Sequence, residues 1–239
     1  MRIGVVGHRA ADIVTTETGT EERPGGTPLY ARRSLAALGV PCVVIERGGF
    51  TSRLNHHDGG VEQWVEAVGE PFAPEDVLAA VVGCEWVILG GQTAGDFPPT
   101  TIEALATAGH RVCIDGQGLC RGDAPGPVRL RPFPPAAIPG VSILKLNGAE
   151  ARAAAGSLDP EALRALGAAE VAVTLGRDGA VGVTADRAWE FAPTGAGVYA
   201  DPTGAGDTWT AAYVAHRAKG DTPEDAARAA AVHTDHLYL

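Results

Sequence analysis

The chain has 239 residues, a mass of 24.5 kDa and a formal charge of −10 from 19 basic and 29 acidic side chains. At 45% hydrophobic and 20% charged residues it reads as a soluble globular protein, long enough to bury a core without disulfide staples. The acidic balance argues against nucleic acid and anionic membranes as partners, and no apolar run approaches the ~18 residues that span a bilayer.

The opening Arg2–Gly7 reads as a first strand rather than a signal peptide. Thr27–Leu38 has helical spacing and stops at Gly39, and Pro41–Glu46 is a second strand. The stretch 48–72 breaks the rhythm and is expected to form a β-excursion off the main sheet, a small flap or lid. Pro74–Val82 (helix), Trp86–Leu89 (strand), Thr101–Ala108 (helix) and Arg111–Asp115 (strand) follow. After a Pro-rich surface connection over Ala124–Pro139 come the strand Ser142–Leu146, the helices Gly148–Ala155 and Glu161–Leu166, and the strand Val171–Leu175. Ala180–Thr184 and Ala188–Phe191 read as a hairpin, and Ala205–Ala218 and Pro223–His233 as two last helices. Strands alternating with helices predict βαβ units, hence an α/β fold with a mostly parallel sheet covered on both faces. No internal repeat or linker divides the chain, so residues 1–239 are expected to form one domain with the lid as its excursion.

The chemistry concentrates in Asp201–Asp207, DPTGAGD, which leads directly into a helix. Gly204 and Gly206 allow a sharp turn and close approach of a ligand. The amides of Gly204, Ala205, Gly206 and Asp207, with the helix dipole, make an anion cradle. A carboxylate at its rim repels an anion, but makes sense if Asp207 takes a proton from a hydroxyl that attacks a phosphoryl group. A plain helix N-cap is the alternative.

DPTGAGD before a helix, late in an α/β chain, resembles the signature of the PfkB (ribokinase-like) carbohydrate kinase family. Pro24–Gly39 is similar to the family's glycine-pair motif and following helix, Leu146–Glu150 (LNGAE) to its N-x-x-E motif, and Val173–Gly179 (VTLGRDG) to its nucleotide-contacting strand and turn. The resemblance implies a three-layer α/β/α sandwich with a lid. It also implies transfer of the ATP γ-phosphoryl group to a hydroxyl of a sugar, cyclitol or nucleoside. On these positions Asp207 would be the base and the Gly204–Gly206 amides the anion hole. Asn147 and Glu150 would hold magnesium-bound water, and Thr174, Gly176 and Gly179 would contact the nucleotide. Asp201 and Thr203 would serve a monovalent cation such as K+, and Asp12, Gly25 and Gly26 the acceptor. A cytoplasmic location and a homodimer fit the same resemblance. Family members are usually longer, and the C-terminal strand and helix that commonly finish the fold and help wall the adenine pocket are expected to be shortened or absent here. A catalytically silent ligand-binding or regulatory protein on the same fold is the rival reading.

Other signals are weaker. Cys113–Arg121 (CIDGQGLCR) resembles a segment of inositol-type kinases, and Asp115 and Arg121 are as readily a strand-end turn as phosphate or substrate contacts. Gly195-x-Gly197-x-x-Ala200 fits a dinucleotide fingerprint only as a string, because no helix follows it. No Walker-type loop or G-x-S-x-G elbow is present. His56-His57-Asp58 and His233-x-x-His236 read as surface histidines before metal ligands. Cys42, Cys84, Cys113 and Cys120 form no C-x-x-C pair and are expected to be free, mostly buried thiols of a reducing compartment. Trp209 is expected to pack in the core or to border the nucleotide.

Overall fold

The computed structural model describes residues 1–57, 60–192, 199 and 201–239. The Gly195-x-Gly197-x-x-Ala200 string and Asp58 fall outside them. In chain order the elements are β1 (Ile3–Thr16), β2 (Gly19–Gly25), α1 (Thr27–Ala37), β3 (Cys42–His57), β4 (Gly60–Ala67), α2 (Pro74–Ala80), β5 (Trp86–Gly90), α3 (Pro99–Thr107), β6 (Arg111–Asp115) and α4 (Gly116–Cys120). Then follow β7 (Gly126–Pro127), β8 (Ile143–Asn147), α5 (Gly148–Ala155), α6 (Pro160–Arg164), β9 (Glu170–Thr174), β10 (Ala180–Thr184), β11 (Ala188–Phe191), α7 (Ala205–Lys219) and α8 (Pro223–Tyr238).

The described strands form one sheet in the order β11-β10-β9-β8-β6-β5-β1-β3-β4-β7, with β2 paired to β1. Its centre, β3-β1-β5-β6-β8-β9, is parallel, and the β9-β10-β11 end is antiparallel. Strands buried on both faces explain the continuous apolar runs of the sequence. In β5, Trp86 and Ile88 point to one face, into a core with Ala31 and Leu35 of α1, the run Ala211–Ala215 of α7, and Ala226 and Ala230 of α8. Val87 and Leu89 point to the other, against Val77 of α2, Ile102 and Leu105 of α3 and Leu163 of α6. The result is the expected three-layer sandwich.

The lid departs from expectation in its origin. It is not confined to 48–72: β1 runs straight out of the core, pairing with β3 in parallel from Ile3 to Thr15 across a register shift between His8 and Ala10. The outer half of β1 turns back as β2, and β3 turns back as β4, which β7 extends. A separate small cluster of Ala10, Phe50 and Val65 holds these strands together. α8 also runs to Tyr238, past the expected end at His233, so His233 and His236 lie within a helix. Among the described residues no group of three His, Cys, Asp or Glu side chains is placed to ligate a metal directly, and no helix is long and apolar enough to cross a membrane. Cys84, Cys113 and Cys120 are buried, Cys42 is partly exposed, and all four are free.

Candidate active site

The chain reverses its direction across the sheet at β1, with β3 on one side and β5 on the other. Open α/β sheets bind ligands at the carboxyl ends of their strands beside such a switch. Two helices begin there. α1 starts after Gly26, whose φ of 93° and the 2.2 Å that would separate an added Cβ from the His8 carbonyl oxygen admit only glycine. α7 starts after Gly204, at φ 76°, where an added Cβ would fall 2.2 Å from the Tyr30 ring. The two tight starts bring Thr27, the first residue of α1, against Asp207 in the first turn of α7. Thr27 Oγ1 donates to Asp207 Oδ1 at 2.5 Å.

The amide of Ala205 is bonded to the Pro202 carbonyl at 3.0 Å, and that of Thr208 to the Gly204 carbonyl at 2.9 Å. Among the described residues the amides of Gly204, Gly206 and Asp207 are therefore left unengaged for the cradle, while Ala205 lines a cleft beside it. That cleft, of about 130 Å³, is lined by Thr174, Gly176 and Gly179 together with Ala205, Gly206 and Trp209, so the residues expected near a nucleotide are gathered in one place. Ala180, Phe191 and Ala231 add an apolar part to its wall. Trp209 both lines it and stacks on Tyr213 at 4.7 Å in the core.

Below the cradle lies a buried cluster of charges. Lys145 Nζ contacts Asp115 Oδ2 at 3.3 Å, and an added Cβ on Gly206 would be 3.0 Å from that ammonium. Burial works against the Lys145 charge, yet Asp115, Glu150 and Asp207 together hold its pKa above the ordinary lysine value. Burial, and then the charge of Asp115, push Asp207 up to about 6; the Thr27 hydrogen bond, Lys145 and Arg121 pull the other way. Burial and Asp115 likewise raise Glu150. Glu150 is tied into a capping box at the start of α5: its Oε2 accepts from Asn147 N at 2.8 Å, and Asn147 Oδ1 accepts from Ala149 N and Glu150 N at 2.9 Å. Asp115 also caps α4 through Gln117 N at 3.1 Å.

On the lid side, Asp12 of β1 accepts from Ser52 Oγ of β3 at 2.7 Å. Burial raises its pKa, against Ser52 and Arg121. Gly25 packs on it so closely that an added Cβ would lie 2.1 Å from Asp12 Oδ2. Asp12 and Gly25 thus pack together beside Gly26, one residue before the Thr27 that bonds Asp207. Asp201 and Thr203 lie apart from the nucleotide-side cleft. Asp201 Oδ2 accepts from Arg23 Nη1 at 2.8 Å and its Oδ1 from Thr203 N at 3.0 Å, while the Thr203 carbonyl accepts from Tyr238 Oη at 2.9 Å. They border a second cavity, of about 250 Å³, with Tyr30, Arg33 and Tyr238. Thr27, Ser52 and Lys145 are site residues that sequence reasoning passed over. Lys145 carried a signal, as a charged residue in the otherwise apolar strand SILKL.

Residues 98–233, which include both LNGAE and DPTGAGD, match the pfkB family carbohydrate kinase. No curated protein matches the chain in sequence. A pyrophosphate-dependent kinase in the ribokinase family, complexed with a pyrophosphate analog and myo-inositol, superposes at a TM-score of 0.85 and 20% identity, covering 99% of this chain and 94% of that one. Ribokinase from Arabidopsis thaliana, complexed with ribose and ATP, does so at 0.73 and 20%, covering 97% and 90%. The tetrameric inhibited form of phosphofructokinase-2 from Escherichia coli does so at 0.64 and 19%, covering 100% and 94%. With the family match extending over more than half of its length, and its fold shared with ribokinases, this chain belongs to the pfkB family of carbohydrate kinases.

Proposed function

We propose that the protein transfers the γ-phosphoryl group of ATP to a hydroxyl of a small polyol, a sugar, cyclitol or nucleoside. The observation that carries this reading is Asp207, a half-buried carboxylate in the first turn after the glycine-rich cradle, bonded to Thr27 and with its pKa pushed up to about 6. Asp207 takes the acceptor hydroxyl proton, the freed oxygen attacks the γ-phosphorus, and the bond to the β-phosphate oxygen breaks to release ADP. The amides of Gly204 and Gly206, with the α7 dipole, stabilise charge on the phosphoryl oxygens in flight. Ala205, Thr174, Gly176 and Gly179 border the nucleotide. Glu150 of the cluster and Asn147, which caps the same helix, offer oxygens suited to a hard cation that keeps its own waters. Magnesium bound there would neutralise phosphate charge. Asp201 and Thr203 remain the candidates for a monovalent cation, and Asp12, Gly25 and Gly26 for the acceptor. We place the enzyme in the cytoplasm.

The second reading is a silent ligand-binding or regulatory protein on the same fold. It is favoured by the engagement of both Asn147 and Glu150 in the cap of α5. One assay separates the two. Acceptor-dependent ADP release from Mg-ATP is measured over sugars, cyclitols and nucleosides with K+ present, beside Asp207→Asn, and phosphate release with pyrophosphate as donor is measured in parallel. Product that needs an acceptor and disappears in the variant supports the kinase. ATP binding without product from any acceptor supports the silent reading, and product from pyrophosphate alone replaces the donor.

A further inference from the structure

Arg121 caps the end of α4, and its charge acts on both the lid and the core. It lowers the pKa of Asp12 on the lid and of Asp207 and Glu150 in the core. Its Nη2 donates to Gln63 Oε1 of β4, a lid strand, at 3.3 Å, and its Nη1 to Gln92 Oε1, just past β5, at 3.5 Å. Both bonds are longer than the usual ~2.9–3.0 Å, so ligand oxygens can compete for these donors. Its Nε is buried and has no partner among the described residues. A buried donor without a partner is costly, and such groups are rare outside functional places. The Gln92 end is itself held firmly, because Asp96 accepts from Gln92 N at 2.6 Å and from Thr93 Oγ1 at 2.5 Å. The guanidinium therefore spans a fixed core and a lid strand, near enough to act on both Asp12 and Asp207.

The charges around it limit what it can bind. Asp12, Asp115, Glu150 and Asp207 outnumber Lys145 and Arg121, and Lys145 is already paired with Asp115. No surplus positive charge remains to receive an anionic acceptor. The side chains around it, the amides of Gln63 and Gln92, the Asp12 carboxylate and one guanidinium, match an array of neutral hydroxyls.

We propose that Arg121 clamps an uncharged, polyhydroxylated acceptor between lid and core, its Nη1 and Nη2 turning from the long Gln92 and Gln63 bonds to acceptor hydroxyl oxygens. This rests on the kinase reading above for the identity of the Asp12 side as the acceptor side. Arg121 is here an acceptor-binding residue that also contacts the lid strand through Gln63.

The test uses matched pairs: ribose and ribose 5-phosphate, fructose and fructose 6-phosphate, myo-inositol and its monophosphate. Binding is measured by calorimetry without donor, and transfer separately. We expect an uncharged member to bind more tightly than its phosphate. Arg121→Met should then raise the acceptor Kd and KM about 10–100-fold with the donor KM unchanged, the loss of a charge-assisted hydrogen bond. Arg121→Lys should recover only part of this, since a single ammonium cannot span both amides. Gln63→Leu should raise the acceptor KM alone, and it decides the matter if Arg121→Met does not fold. Tighter binding of the phosphorylated members, or binding of neither class, overturns the proposal. So does an acceptor KM unmoved in Arg121→Lys and Gln63→Leu. Acceptor binding that obeys these rules without any phosphoryl transfer would sink the kinase reading and leave the clamp standing.

Discussion

Thr27 and Asp207 are 180 positions apart in the chain and share a 2.5 Å hydrogen bond at the adjoining starts of α1 and α7. The bond stabilises the ionised carboxylate and so opposes the burial that drives its pKa upward. Thr27→Val should move the acidic limb of the kcat profile to higher pH. The rate deficit should be larger at pH 6 than at pH 8. A uniform loss at all pH values would show that Thr27 only shapes the site.

Asp207→Asn keeps the size of the side chain and an oxygen that can accept from Thr27. Turnover should fall about 10²–10⁴-fold with ATP binding retained. Wild-type activity should itself decline as pH drops through about 6, where Asp207 takes up its proton.

The same variant should be more stable than wild type at neutral pH. The folded-state pKa of Asp207 lies above the ordinary value of 3.8, so the native state binds more protons than the unfolded one between those limits. Stability is then lost as pH rises through that window, and the asparagine escapes the loss. Thermal melts at pH 8 should favour Asp207→Asn, and the difference should vanish below about pH 4. Equal melting points at pH 8 would mean the carboxylate is better solvated than its burial implies.

Lys145→Met removes the only ammonium from a buried group of carboxylates. Asp115 is left without its 3.3 Å partner. The expected cost is about 3–5 kcal/mol, read by denaturant unfolding. A cost below about 1 kcal/mol would indicate that water reaches the cluster.

Ala231→Phe places a ring in the apolar part of the cleft that Trp209 also lines. The ATP KM should rise about 5–150-fold, since filling a packed site costs about 1–3 kcal/mol. Any turnover with pyrophosphate should be spared, because that donor has no base to place there. Equal loss with both donors would assign the cleft to packing instead.

Much of this was legible in the sequence where local pattern and tertiary role agree. Arg111–Asp115 and the hairpin Ala180–Thr184 with Ala188–Phe191 appear at the expected residues, because alternation and turn chemistry point the same way. β2 was not legible. Its residues, GTEERPG, carry no apolar alternation, and the strand forms only because β1 offers an open edge. α8 outruns its expected end because Tyr199 Oη donates to Asp235 at 2.6 Å and Tyr238 reaches the Thr203 carbonyl, contacts that no local window contains. At the site, the glycine-rich turn and its acid were plain. The partners of that acid come from α1, β6 and β8 and are brought to it only by the fold.

β1 is one continuous strand of 14 residues that belongs to the sheet's centre at one end and to the lid at the other. The lid is for that reason not a module. It could not be excised, grafted or swapped without cutting the backbone of the core, whereas the Thr16–Gly19 hairpin tip offers a natural seam for new chain termini. Any rocking of the lid must also load the middle of the sheet, with the irregularity between His8 and Ala10 as the point where a stiff lever can flex.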